Sequence, residues 1–175
     1  FWLVNINYKA NIFTHYIEIL SKRYNYIFTE VEIIGLNNIS KIDVDQYFKK
    51  YLNQSIFLIP IKEISHEIGK HNWIESAILK NNFKNKIIIY IKEFNPIAVY
   101  FNGKNYLLIN ESGYVIDFAN NKEIQQYIIL EGQNSSEHAP ELIEAIPNEL
   151  ISRISKAHYI NDRRWDIYTK GNLRI

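Results

Sequence analysis

Histidines and carboxylates are the side chains of this sequence that could bind a metal or transfer protons. His66 and His71 are five residues apart, so on a helix they would lie on different faces, whereas a helical metal-binding pair needs a spacing of three or four. Glu63 and Glu67 are four residues apart, but they fit the solvent-exposed face of an amphipathic helix. No carboxylate pair has the apolar setting that would raise a pKa for acid catalysis. We therefore predict no metal site and no catalytic carboxylates.

Motifs for nucleophilic or cofactor chemistry are also missing from the 175 residues. The sequence contains no Gly-x-Ser-x-Gly, no phosphate-binding loop and no Gly-x-Gly-x-x-Gly. The absence of cysteine excludes thiol catalysis, disulfides and cysteine-type zinc sites. The net charge is +1, from 20 basic and 19 acidic residues, and no basic block suggests nucleic-acid binding. The sequence favours a protein that is not an enzyme, carries no cofactor and acts by binding other proteins.

Two stretches have the composition of protein-binding surfaces. Arg163 and Arg164 precede Trp165, and arginine with tryptophan is a frequent combination at interfaces because guanidinium groups pair well with carboxylates. The alternative is that Trp165 belongs to the core and the arginines are a solvated strand end. The second stretch is a predicted strand, and a strand at the edge of a sheet has unpaired main-chain groups that could accept a strand from a partner. Its candidate residues are Ile74, Ser76, Ile78 and Lys80.

The first half of the chain predicts a small two-layer domain. Alternation predicts a strand at 29–35, and Ser40 is expected to cap a helix with Asp43 as its capping-box partner. A second helix is expected from about Pro60. The strands Ile74–Lys80 and Lys86–Glu93 follow, so two helices cover one face of a three-stranded sheet. A separate helix at 9–25 precedes this domain, and its apolar face could lie on a membrane surface or on the domain.

The second half predicts a run of short strands joined by tight turns, interrupted by a helical insertion. We expect Ser135 or Ser136 to cap that helix, Pro140 to lie in its first turn, and Pro147 to start a second helix. That second helix is expected to bury Leu150, Ile151 and Ile154. The predicted strands are 97–101, 104–110, 114–118, 127–130, 156–161 and 165–170, with hairpin turns at Asn102-Gly103 and Asn161-Asp162. The predicted fold class is therefore α+β.

Several separated motifs resemble the FtsQ/DivIB family of bacterial cell division proteins. Gly35 followed by NNIS, the run SIFLIPIKEI, the step WIESA and the exit EFNPIA are similar to its POTRA domain. The stretches GKNYLLINESGYVID, SSEHAPELIEAI and DRRWDIYTKGNLRI are similar to the β domain that follows POTRA in this family. Two departures concern turns: Asn110 stands where an acidic residue is expected, and Lys84 where many relatives have proline.

The resemblance implies a domain organisation and a function. It implies a juxtamembrane linker helix at 1–27 after a transmembrane anchor outside this chain, a βααββ POTRA domain at 28–95, and a predominantly antiparallel β domain at 96–175 that continues beyond it. It also implies a non-enzymatic periplasmic scaffold of the divisome, held on the inner membrane at the septum. Such a scaffold binds FtsB and FtsL, with other divisome proteins as further candidate partners, and links early to late division proteins.

The family also implies where the partner binds. The basic pair before Trp165 lies in the region that meets FtsB, and much of the surface that binds FtsB belongs to the segment after residue 175. The resemblance to POTRA domains also implies that the strand Ile74–Lys80 lies at an edge of its sheet. The alternative function is a POTRA-containing transport or outer-membrane assembly factor that binds client chains by strand addition. Such factors usually carry POTRA domains in tandem or before a long barrel, so a single POTRA domain followed by a small sheet favours the scaffold.

Overall fold

The computed structural model describes residues 2–171, 173 and 174, with the side chains of the N-terminal helix described from Ile12 onward. The chain divides into two compact units, one ending at Glu93 and the other beginning at Phe94. Among the described residues, no helix combines the length and hydropathy needed to cross a bilayer.

The first unit has the strand-helix-helix-strand-strand order that the sequence predicts, after an N-terminal helix. In the sheet, the third strand of the sequence (β3) lies between the first (β1) and the second (β2), and it is parallel to β1 and antiparallel to β2. Its elements are α1 (Trp2–Tyr24), β1 (Glu30–Ile34), α2 (Lys41–Asp45), a 3₁₀ turn (Lys49–Tyr51), α3 (Ile61–Ile68), β2 (Ile74–Asn81) and β3 (Lys86–Glu93).

Alternation along β3 builds the core of the first unit. Ile87 and Ile89 are fully buried and Ile91 nearly so, because successive side chains of a strand point to opposite faces and the helices cover only one of them. The other buried members are Phe28, Ile39, Val44, Phe48, Ile56, Ile59, Ile64, Ile68 and Ile74.

The start of α2 differs in detail from the prediction. The hydroxyl of Ser40 accepts a hydrogen bond from the main-chain N–H of Ile42 at 3.3 Å, so Ser40 caps the helix. The predicted capping box with Asp43 was wrong, since aspartate is one methylene shorter than the glutamate or glutamine of that motif. The helix then ends at Asp45, and the chain tightens into the 3₁₀ turn.

The turn between β2 and β3 explains one of the two departures from the family pattern. The side-chain oxygen of Asn82 accepts the main-chain N–H groups of Lys84, Asn85 and Lys86, each at 2.9 Å. Because Lys84 donates one of these bonds, proline at that position would remove a donor that this turn uses.

The second unit is a six-stranded mixed sheet in the order β6-β5-β4-β7-β8-β9. Three of its five pairings are antiparallel, while β4–β7 and β7–β8 are parallel. The predicted, predominantly antiparallel α+β fold is therefore confirmed. Its elements are β4 (Ala98–Phe101), β5 (Tyr106–Ile109), β6 (Val115–Phe118), α4 (Asn121–Gln126), β7 (Ile129–Glu131), α5 (Ala139–Ala145), α6 (Asn148–Ile151), β8 (Ile154–Ile160) and β9 (Arg164–Thr169).

Helix boundaries in the second unit differ from the sequence predictions in three places. Helix α5 begins at Ala139 with His138 at the cap, so the predicted serine caps were wrong; Ser135 is fully buried in the loop before the helix. Leu150 is exposed on α6 rather than buried, and Ile154 is buried but already belongs to β8. Helix α4 was not predicted at all. The inward side of α5 is formed by Ala139 and Leu142, with Ile146 at the C-cap, and all three are buried.

Candidate protein-binding surfaces

The Arg163–Trp165 segment consists of the last residue before β9 and the first two residues of that strand, which lies at one edge of the six-stranded sheet. The turn before it holds Asn161 and Asp162 at φ of +47° and +50°, the left-handed conformation of a two-residue hairpin turn. Arg163 and Arg164 are exposed. Trp165 is half-buried and packs against the core of the second unit. The segment thus presents two guanidinium groups to solvent beside a partly anchored indole ring.

The ring of Trp165 is held by a row of aromatic contacts. Its centroid lies 4.7 Å from that of Tyr159, and Tyr159 lies 4.7 Å from the ring of His138. Tyr159 itself is buried, and burial raises the pKa of its hydroxyl, helped by the nearby charges of Asp162 and Glu141. This row fixes the orientation of the indole at the sheet edge.

Asp166 is a residue that the sequence reasoning missed. Asp166 is buried, at 7% exposure, and its carboxylate lies 3.5 Å from Nε of Arg164 and 2.5 Å from Nη2 of Arg174. The only sequence signal was its place two residues after Arg164, which puts both side chains on one face of the strand. Asp166 therefore orients one of the two predicted arginines and also ties down the segment that follows β9.

That following segment already pairs with part of β9. The N–H of Thr169 donates to the carbonyl of Leu173 at 2.9 Å, and Arg174 forms an antiparallel bridge with Tyr168. Toward its start at Arg164, β9 has no further strand on its outer side among the described residues. Among the described residues, the paired part of this edge is therefore the end of β9 and not the Arg-Arg-Trp segment at its start.

The predicted edge strand of the first unit is an edge strand, since β2 ends the order β1-β3-β2. The side chains predicted on it have different environments. Ile74 is buried, at 4% exposure, and its N–H already donates to the carbonyl of His71 at 2.8 Å, so neither its side chain nor its N–H is available to a partner. Ser76, Ile78 and Lys80 are exposed on the sheet face that the helices leave open.

Main-chain pairing shows which residues of β2 face outward. The N–H of Asn82 donates to the carbonyl of Lys86 at 3.0 Å, and by the alternation of an antiparallel ladder the main-chain groups of Ser76, Ile78 and Lys80 point toward β3. The outward main-chain groups therefore belong to Ala77 and Leu79, which the sequence reasoning did not select. The carbonyl of Ala77 already accepts the hydroxyl of Ser65 at 2.6 Å.

An apolar row crosses the open face of this sheet. Ile34, Tyr90 and Ile78 are direct cross-strand neighbours on β1, β3 and β2, and each is at least 40% exposed. The ammonium group of Lys80 lies 5.2 Å over the ring of Tyr90. The predicted residues Ile78 and Lys80 thus belong to a cluster that spans all three strands.

Glu131 and His158 are an acid and a base that lie close together in the second unit. A shallow cavity of about 440 Å³ in the second unit contains Glu131 and His158. The carboxylate of Glu131 lies 3.2 Å from Nζ of Lys156 and 3.9 Å from Nδ1 of His158. Within residues 2–171 and 173–174, no three His, Asp or Glu side chains converge as they would around a metal ion.

The two units match two family models. The first unit has the architecture of a POTRA-containing protein, and residues 28–94 match the model described as "POTRA domain, FtsQ-type". Residues 98–175 match the model described as "Cell division protein FtsQ/DivIB, C-terminal". Together these matches span most of the chain, which belongs to the FtsQ/DivIB family of bacterial cell division proteins.

Curated relatives carry the same family name. The chain is 27% identical over 150 residues to "Cell division protein FtsQ" of Rickettsia typhi, covering 83% of this chain and 55% of that protein. It is 27% identical over 169 residues to the protein of the same name from Rickettsia bellii, covering 95% of this chain and 61% of that protein. The chain thus spans little more than half the length of these relatives.

A solved structure is also similar, at a lower level. It is the major extracytoplasmic domain of the cell division protein DivIB from Geobacillus stearothermophilus, in its trans isomer. The match has a TM-score of 0.38 and 17% identity, and covers 48% of this chain and 77% of that one.

Proposed function

We propose that the chain is part of a non-enzymatic scaffold of the divisome, which binds FtsB and FtsL and links early to late division proteins. Its place is the periplasmic side of the inner membrane at the septum. Residues 1–27 form the juxtamembrane linker in this proposal, 28–95 the POTRA domain and 96–175 the start of the β domain. Membership of the family supports the proposal, because the match to the FtsQ/DivIB C-terminal model covers the unit that follows POTRA.

The observation that carries the proposal is the exposed arginine pair at the start of β9. Arg163 and Arg164 are exposed there, beside the partly buried ring of Trp165. Asp166 lies within 3.5 Å of Arg164, which limits the positions of that guanidinium before a partner arrives. Acidic side chains of an incoming segment can pair with both arginines, while its apolar side chains contact the indole.

The same match favours the scaffold over the transport or assembly alternative. A transport or assembly factor usually carries POTRA domains in tandem or before a long barrel, whereas in this chain a region that matches the FtsQ/DivIB C-terminal model follows the POTRA domain. We place a secondary partner surface on β2, where Ile78 and Lys80 supply side chains and Leu79 supplies outward main-chain groups. Ile74 and Ser76 contribute the start of that strand.

The test is partner binding by the full-length protein that contains this chain. The double charge reversal Arg163→Glu with Arg164→Glu should weaken binding to the periplasmic part of FtsB by about tenfold or more, because like charges then face the partner. Binding is measured by calorimetry, and the unfolding curve checks that the fold is intact.

The matched control reverses two exposed lysines of the same unit, Lys104→Glu with Lys122→Glu, which changes net charge equally. Equal loss in both double variants would assign the effect to overall charge. Unchanged affinity in the arginine variant would remove the segment from the binding surface. Replacing Ile78 by Glu tests the secondary surface in the same assay.

A further inference from the structure

Helix α1 is joined to the first unit by a buried pair of hydroxyl groups. The Oγ atoms of Ser21, in the last turn of α1, and of Ser55, in the loop before α3, lie 2.7 Å apart. Both residues are almost completely buried, at 2% and 1% exposure. A hydrogen bond between two groups shielded from water has no solvent competitor, so it holds the two segments at one distance.

Main-chain bonds surround this pair. The N–H of Tyr26 donates to the carbonyl of Ser21 at 2.8 Å, and the N–H of Ile56 donates to the carbonyl of Tyr26 at 3.0 Å. Ile27 and Ser55 form an antiparallel bridge, and the N–H of Phe57 donates to Oγ of Ser55 at 3.3 Å. The chain therefore leaves the helix and enters the domain without a flexible linker.

The apolar groove beside Ser21, between α1 and the loop before α3, is open to solvent, so hydrophobic packing alone does not account for this attachment. An amphipathic helix usually buries its apolar stripe on the core of its domain. Here the large apolar side chains of the described turns of α1 are mostly exposed, and Ile17 is the half-buried one. The exposed ones are Ile12, Phe13, Tyr16, Ile19, Leu20 and Tyr24, at 41–67% exposure. Among the described side chains of α1, Ser21 is thus the buried one, and its hydroxyl acts together with the main-chain bonds around it.

We propose that the Ser21–Ser55 pair is a rigid joint that fixes the direction of α1 on the first unit, so that helix and domain move as one body. A helix of 23 residues is about 35 Å long, so a small change of angle at the joint moves its far end by several ångströms. The orientation of the first unit is then set by the contacts that the N-terminal end of α1 makes, a role separate from binding at the arginine pair.

The absence of cysteine makes a distance measurement straightforward. Spin labels are placed on the full chain through His15→Cys on α1 and Lys62→Cys on α3, both at exposed positions, and their separation is measured by pulsed electron resonance. The parent protein should give one narrow distance peak. The variant carrying Ser21→Ala and Ser55→Ala should lose that peak and show a broad distribution.

Two further variants separate the joint from the fold. Ser65→Ala removes a serine hydroxyl that bonds the carbonyl of Ala77 within the domain, and it should leave the peak narrow. If the double variant does not fold, Ser21→Ala alone keeps the Phe57–Ser55 bond and serves as the test. A broad distribution in the parent protein, or a narrow one in the folded serine variant, would overturn the proposal.

Discussion

The carboxylate of Glu93 accepts two hydrogen bonds from Asn38, one from its main-chain N–H at 2.8 Å and one from its side-chain Nδ2 at 2.9 Å. It also accepts the main-chain N–H groups of Asn37 and Ile39, at 2.9 and 3.2 Å. The last residue of β3 thereby holds the loop that follows β1. Gly35 begins that loop at φ +97°, where a Cβ atom would overlap the carbonyl oxygen of Ile91.

Because of Glu93, the free energy of unfolding of the first unit should depend on pH in the acid range. Burial alone would raise the pKa of this carboxyl, but the four hydrogen bonds outweigh it and lower the pKa below its ordinary value. A group with a depressed folded-state pKa contributes stability above its unfolded pKa, about 4.3, and loses it as pH falls through the folded pKa. We expect Glu93→Gln to cost about 1–3 kcal/mol at pH 7 and less below pH 4, in urea unfolding at both pH values.

Glu67 provides the control for this prediction. Glu67 lies on the exposed face of α3, and its pKa is also lowered, chiefly by the hydrogen bond from Lys70 just after the helix. Both side chains of this pair are in contact with solvent. Glu67→Gln should therefore change stability little, since exposed ion pairs contribute little. An equal cost of Glu93→Gln at both pH values would show that its role is one of shape and not of charge.

Regular alternation made β3 the most predictable element of the fold. Each buried isoleucine is followed by a residue of the other face, so the predicted bounds Lys86–Glu93 are those observed. Helix α4 escaped prediction because it is short and has no buried residue. Its sequence signal was the capping box of Asn120 and Glu123, which is formed in full, whereas the one predicted at Ser40 is not.

Two glycines of the second unit separate backbone strain from steric overlap. Gly103 and Gly113 both have positive φ, +90° and +78°, but a Cβ atom on Gly103 meets nothing within 4 Å, while on Gly113 it overlaps the carbonyl oxygen of Ser136. Gly103→Ala should therefore cost only the left-handed conformation, about 1–2 kcal/mol. Gly113→Ala should cost clearly more in thermal unfolding. Similar costs would show that the loop around Ser136 shifts to make room.

The half-buried ring of Trp165 should matter for stability as well as for binding. Trp165→Ala removes the contact with Tyr159 and part of the core of the second unit, and we expect a loss of about 2–3 kcal/mol, below the range for fully buried tryptophans. Trp165→Phe keeps an aromatic ring and should lose less. Circular dichroism follows both unfolding curves. An unchanged midpoint for the alanine variant would make the indole purely a contact for partners.

Long-range pairing explains why parts of the candidate surfaces were not predictable. Ser21 and Ser55 are 34 residues apart, and nothing in either local sequence marks its hydroxyl as buried. On β2 the exposed side chains suggested Ser76, Ile78 and Lys80, but strand register decides which main chains face outward. The register of β2 on β3 depends on the hydrogen bond between Asn82 and Lys86 in the turn. The pattern of apolar residues alone does not predict that bond.

Asn110 should tolerate the acidic residue that the family pattern has at its position. Its side-chain oxygen accepts the main-chain N–H groups of Ser112 at 2.9 Å and Tyr114 at 3.0 Å, and a carboxylate can accept the same two bonds. Asn110→Asp should therefore change the stability of the second unit by less than about 1 kcal/mol at pH 7. Asn110→Ala should cost about 1–3 kcal/mol, because the donors lose a buried acceptor.

Asn102 is the matched control for Asn110, because it forms the same kind of turn in an exposed place. Its side-chain oxygen accepts the N–H groups of Lys104 at 3.0 Å and Asn105 at 2.8 Å, and water can replace it there. Asn102→Ala should therefore cost less than Asn110→Ala in chemical unfolding of the same unit. If the two alanine variants were equally destabilised, burial of the acceptor would have no part in the effect, and the turn conformation alone would explain the preference for asparagine.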